Sequence, residues 1–242
     1  MVLPLKDLNP TRRFPFLTYT IIIINVLVFL WELSLPPDQL EAALATLSVV
    51  PARASAHPFA LETILSIIRS TFFHGGWAHL LGNMLYLYLF GDNVEDRLGR
   101  FMYAVLYIGS GFAAAWAQIA IDPTSTIVQV GASGAIAGVL GSYFILFPSV
   151  RVKGIVPLTF ISLWADWPAW LVLGLWFVVQ FFNGVASLGV ETSGGGVAFF
   201  AHIGGFVFGL ILTQLVMLLY PQPSIPERQE LLYQRAGRYR AF

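Results

Sequence analysis

Residues 131–148 read GASGAIAGVLGSYFILFP. After the opening Gly131-Ala132-Ser133-Gly134 the run carries no charged residue. From Ser133 to Phe147 is 15 residues, or roughly 21 Å of α-helix. The hydrocarbon core of a bilayer is about 30 Å thick. If Pro148 and Arg151 mark one boundary, Ser133 stops short of the other. The chain ahead of it must then dip below the surface, which non-helical backbone does only where it lines a protein cavity or water. The stretch predicts a short membrane helix that begins at a serine below the outer surface.

The remaining composition fits a membrane setting. Of 242 residues, 57% are hydrophobic and 11% charged, with mean hydropathy +0.74; soluble domains carry about 25% charged residues. The formal net charge is zero, so no nucleic-acid partner is expected. The chain has no cysteine, which excludes disulfides, thiolate metal sites and a cysteine nucleophile. Lys6, Arg12 and Arg13 precede the first apolar segment as in a signal peptide. That segment ends on Trp31-Glu32-Leu33 without a small-residue cleavage site, and is read as retained.

Working outward from Ser133, six apolar segments are expected as helices: Thr18–Leu33, His79–Phe90, Phe101–Ile121, Ala132–Phe147, Ala169–Val185 and Val197–Leu219. The second and fourth are short against the roughly 20 residues a crossing needs. The fold class read from this is an all-α membrane protein, a six-helix bundle whose short fourth helix starts below the outer surface. Residues 1–17 form an N-terminal segment, 18–220 the membrane domain and 221–242 a polar tail. With the N-terminus inside, eleven of the thirteen basic residues fall on the inner side and only Arg53 and Arg69 outside, as the positive-inside rule requires. Both termini are expected in the cytoplasm, with the chain in a plasma (inner) membrane. The outer connection 34–78 is rich in apolar residues and is expected to lie in the interface. The inner loop 148–168 places Trp164 and Trp167 at the headgroup level.

Polar side chains inside apolar segments are costly and commonly functional. The candidates singled out are His79, Asn83, Ser133, Gln180, Asn183 and His202. His202 lies about 26 Å of helix from Leu219, a depth similar to that of Ser133. A neutral imidazole there is a natural base for a serine hydroxyl. Free N–H groups at the helix start beside Ser133, between Gly131 and Gly134, can stabilise an oxyanion. Alone, the tetrapeptide reads equally as an N-capping serine, and a lone histidine as an interhelical hydrogen-bonding residue. Their matched depth favours a pair. Gly134 and Gly138 on the fourth segment, and Gly205 and Gly209 on the face of His202, form small-residue stripes that let helices approach closely.

His79 and Asn83 share one helix face. They suit donation to an oxyanion, although a helix-entry cluster with His74 and Trp77 explains the spacing alone better. No aspartate or glutamate is placed to orient His202, so a Ser–His dyad is expected. No metal and no cofactor are expected, because metal-ligand spacing and a carboxylate deep in a span are both missing.

On four motifs the chain resembles the rhomboid intramembrane serine proteases, over about Thr18 to Leu219. These are His74-Gly-Gly-Trp-Ala-His79-Leu-Leu-Gly-Asn83, Glu95-Asp-Arg97-Leu-Gly99, Gly131-Ala-Ser133-Gly134, and Ala201-His202-Ile-Gly-Gly205-Phe-Val-Phe-Gly209. The resemblance implies a six-helix core, Ser133 as nucleophile and His202 as base. It implies that Asn83, His79 and the Ser133 N–H hold the oxyanion. It implies transmembrane protein substrates, cut near the outer end of a helix after a small residue, with the fifth helix and outer loops as gates. Ala137 stands where some members stack a tyrosine on the base, so helix packing alone is expected to hold His202. Two other classes compete: a non-catalytic relative that binds or retains client helices, and a transporter, which no inverted repeat supports.

Overall fold

The computed structural model describes residues 3–157, 162–188 and 196–220. The basic tail with Arg228, Arg235, Arg238 and Arg240, and the loop residue Glu191, lie outside the described residues. The chain order is β1 (Leu3–Asp7), α1 (Phe16–Ser34), α2 (Pro37–Leu47), α3 (Pro51–Ala56), α4 (Leu61–Ser70), α5 (Trp77–Leu98), α6 (Arg100–Ile121), α7 (Ser133–Leu146), β2 (Arg151–Pro157), β3 (Ser162–Pro168), α8 (Ala169–Ser187) and α9 (Phe199–Leu219). Among the described residues, four helices, α1, α6, α8 and α9, are long and apolar enough to cross a membrane. Two further helices pack with them: α5, 22 residues long with charges in its last turns, and α7, of 14 residues.

The short helix α7 is the centre. Gly134 through Tyr143 and Leu146 are all buried, with α5, α6 and α9 packed around them. Glycine makes the closest contact possible. A Cβ on Gly205 would overlap the carbonyl oxygen of Gly134, and one on Gly209 the carbonyl oxygen of Gly138. One helical turn farther, Thr213 Oγ1 donates to Ser142 Oγ at 2.8 Å. The two helices therefore run parallel, backbone against backbone. Gly134 and Gly138 serve α6 as well: side chains there would run into Ala114 and Ser110.

Two expectations are corrected. The second apolar segment is not short: α5 continues past Phe90 to Leu98. Its charged turns are satisfied by protein. The buried Glu95 carboxylate accepts from the backbone N–H groups of Leu17 and Thr18 at 3.0 and 2.8 Å and from Thr18 Oγ1 at 2.8 Å, capping α1 with a negative charge at its positive end. Gly99, at φ +80°, reverses the chain directly into α6.

Nor is the fold all-α. In the expected inner loop β2 and β3 pair antiparallel, and β1 from the N-terminal segment pairs antiparallel with β2 to make a three-stranded sheet in the order β1-β2-β3. Two carboxylates are buried near helix ends, Glu32 of α1 and Glu95 of α5.

The connection 34–78 folds into α2, α3 and α4. Val49, Ala54 and Ile67 pack on Ala115 and Ile119 of α6. Val49 also pairs with Gln129, and Gly131 N–H donates to the Ser70 carbonyl at 2.8 Å. The connection thereby holds the segment that leads into Ser133.

Candidate active site

Ser133 is the first residue of α7 and is half-buried. The first amides of a helix have no partner within it, so the N–H groups of Ser133 and Gly134 border the hydroxyl. Gly131 enters this turn at φ +124°, a backbone region that side-chain-bearing residues avoid. A Cβ there would lie 2.6 Å from His79 Nε2, so glycine is required twice over.

His202, in the first turns of α9, is buried and places Nε2 2.8 Å from Ser133 Oγ. The α7–α9 glycine contacts bring the two helix starts together, as the matched depths predicted. The opposite ring nitrogen, Nδ1, lies 2.7 Å from Gln180 Oε1 on α8. A neutral imidazole that donates Nδ1–H to the Gln180 carbonyl oxygen would keep its Nε2 lone pair for the Ser133 hydroxyl. Trp176, one turn from Gln180, places its ring 5.7 Å from the imidazole and 6.0 Å from Phe206. Gln180 and Trp176 thus contact His202 in addition to the helix packing expected where Ala137 stands. Gln180 was visible as a polar residue in an apolar segment, yet nothing in the sequence aimed it at His202.

His79 and Asn83 rise on one face of α5 toward the same turn. Gly75 N–H points to His79 Nδ1 at 3.4 Å, which leaves Nε2 as the N–H facing Gly131 beside Ser133. Asn83 is buried, with Nδ2 2.9 Å from His74 Nε2. His74 Nδ1–H donates to the Phe72 carbonyl at 3.2 Å, so His74 Nε2 accepts one Asn83 amide hydrogen and the second remains available. The His74 backbone N–H is held by Glu32 at 3.1 and 3.3 Å. The helix-entry cluster is thus formed, and His74 orients Asn83. Sequence reasoning missed Glu32, whose charge sits at the end of an apolar segment and looked like a boundary marker.

Chemically, the arrangement offers a hydroxyl nucleophile, a base with its lone pair on that hydroxyl, and nearby N–H donors. The long apolar helices and this polar centre define an integral membrane protein with a serine–histidine pair inside its helical bundle. Residues 61–219 match the Rhomboid domain family, and the chain belongs to that family. It is 29% identical over 179 residues to Rhomboid protein 1, mitochondrial, of Saccharomyces cerevisiae, covering 72% of this chain and 47% of the yeast one. To the chloroplastic Rhomboid-like protein 11 of Arabidopsis thaliana it is 31% identical over 171 residues, covering 66% and 55%. To the Rhomboid protease AarA of Providencia stuartii it is 26% identical over 221 residues, covering 84% and 73%. The chain spans about half the length of the first two.

Proposed function

We propose that this chain is an intramembrane serine endopeptidase acting on transmembrane proteins through Ser133 and His202. One observation carries the reading: Ser133 Oγ meets His202 Nε2 at 2.8 Å at the start of a buried helix. In the reaction, His202 Nε2 takes the hydroxyl proton as Ser133 Oγ attacks the scissile carbonyl carbon. The negative charge on the carbonyl oxygen is met by Asn83 Nδ2–H, His79 Nε2–H and the Ser133 N–H. Collapse breaks the C–N bond, and the imidazolium returns its proton to the leaving amine. Water, deprotonated by the same nitrogen, then releases the acyl group and restores the serine. General-base catalysis supplies about 10²–10⁴-fold, and each oxyanion donor about 10²–10³-fold.

The site sits at the α7 end remote from the sheet, so cleavage falls near one end of the substrate helix. The same reading takes α1, α5, α6, α7, α8 and α9 as six spans, residues 18–220 as the protease domain between 1–17 and 221–242, and α7 as starting below the outer surface. The basic residues favour the sheet side as cytoplasmic, with both termini there and the plasma membrane as location. The test is incubation of purified protein with single-span substrates. Wild type is expected to cleave them and to be labelled at Ser133 by a fluorophosphonate. Ser133→Ala is expected to do neither while keeping its thermal transition, since alanine suits a helix. Cleavage by a clean Ser133→Ala preparation would end the serine-protease reading.

A further inference from the structure

The inward face of α8 is apolar along its length, with Val172, Leu173, Trp176 and Gly184 buried, except for Gln180. Burying a primary amide costs free energy unless its polar atoms are bonded. A leucine would fill the same space at less cost. The bonded atom is Oε1, and its partner is the ring nitrogen of His202 that faces away from Ser133.

We propose that Gln180 is the positioning residue of the base: it accepts the Nδ1 proton of His202 and so keeps the Nε2 lone pair on Ser133. This rests on the serine-protease reading. A neutral imidazole places its single proton on either nitrogen. With the proton on Nε2, the ring donates to Ser133 and cannot deprotonate it. An acceptor at Nδ1 removes that unproductive form. In triads of soluble proteases the acceptor is a buried carboxylate, which also stabilises the imidazolium. An amide does the first task without bringing a charge into an apolar bundle. It leaves the imidazolium unneutralised, and therefore a readier donor to the leaving amine. Besides Ser133 on α7, the titratable group acting on His202 among the described residues is His79 on α5. Gln118 of α6 reaches the neighbouring Ala201 N–H and carries no charge.

Two variants test the assignment. Gln180→Met keeps length and volume but has no strong acceptor. Gln180→Glu keeps the acceptor and adds charge. Gln180→Met is expected to lose about 10²-fold in both substrate cleavage and fluorophosphonate labelling, the scale of a ~1 Å misplacement, with its thermal transition unchanged or raised. Gln180→Glu is expected to retain far more activity than the methionine variant and to move the acid limb of the pH–rate profile to higher pH, because a carboxylate raises the affinity of the ring for its second proton. A Gln180→Met enzyme with the wild-type rate and pH profile overturns the proposal and leaves the protease reading intact. So does a pair of variants that both lose activity and melting temperature with the pH profile unmoved, which is the mark of mere packing.

A readout independent of turnover is the nitrogen-15 spectrum of histidine-labelled protein. The chain has four histidines, and the His202 signal is identified by its loss in His202→Ala. The Nδ1–H tautomer is expected in wild type and a tautomer mixture in Gln180→Met. The same tautomer in both sinks the idea. Failure of wild type to cleave or be labelled would instead count against the protease reading, while this spectrum still decides whether Gln180 sets the tautomer.

Discussion

The carbonyl oxygen of Gly134 occupies the place where a side chain on Gly205 would begin. Gly205 lies one turn along α9 from His202, and Gly134 follows Ser133. Gly205→Val therefore pushes the two helices apart at the Ser133–His202 pair. Overpacking costs typically about 1–3 kcal/mol, and a ~1 Å displacement about 10²-fold in rate. Gly205→Val is expected to lose both melting temperature in detergent and cleavage, where Ser133→Ala loses cleavage alone. A valine variant as stable and active as wild type would contradict the packing.

Asn83 and His74 form a hydrogen-bonded pair, and only Asn83 is assigned to the oxyanion. Asn83→Ala is expected to lower kcat about 10²–10³-fold while leaving measurable activity. His74→Phe, which removes the acceptor that orients the amide, is expected to give a smaller loss of the same kind. In Asn83→Ala, the His74 change should then add little, since the two act through one donor. Additive losses in the double variant would show that His74 acts by another route.

Asp7, on β1 at the sheet end, is taken up against the bundle. Its carboxylate accepts from Asn93 Nδ2 at 2.6 Å and from Asn9 N–H at 3.0 Å. Burial raises its pKa from 3.8 to about 7, with Asp92 adding to the rise and the hydrogen bonds opposing it. The unfolded carboxyl ionises near 4 and the folded one only near 7, so the folded state binds the extra proton between them. Stability from this group is present below about pH 4 and falls as pH rises to about 7. Asp7→Asn is expected to flatten the melting temperature across that range. An unchanged slope refutes the assignment.

Asp122 lies just beyond α6 near the Ser133 end, and Lys153 on β2 at the other. The cysteine-free chain allows single cysteines at each. Under the proposed orientation, cysteine at Asp122 reacts with an impermeant thiol reagent added to intact cells, and cysteine at Lys153 reacts only after lysis. The opposite pattern would invert the topology.

What was legible in the sequence were features that one segment carries by itself. Ser133 and His202 stood out as polar residues at matching depth, and the spacing of Gly134, Gly138, Gly205 and Gly209 announced a close helix pair. Relations between distant segments were hidden. α5 was cut short at Phe90 because its charged turns look like a water boundary, while Glu95 in fact serves the amides of Leu17 and Thr18. The sheet went unseen because β2 pairs with β1, well over a hundred residues earlier, and neither strand alternates cleanly. Gln180 had no visible partner because its role depends on how α8 is rotated about its axis relative to α9.

The contacts Gly205 with Gly134, Gly209 with Gly138 and Thr213 with Ser142 repeat at one constant offset of 71 residues. They work as a mechanical detent. Sliding α9 along α7 by less than a turn drives a side chain into a carbonyl, and the next position where small residues could face each other is four residues, about 6 Å, away. There Ser133 and His202 would be far out of reach. The register of Ser133 against His202 is therefore indexed in whole turns of helix.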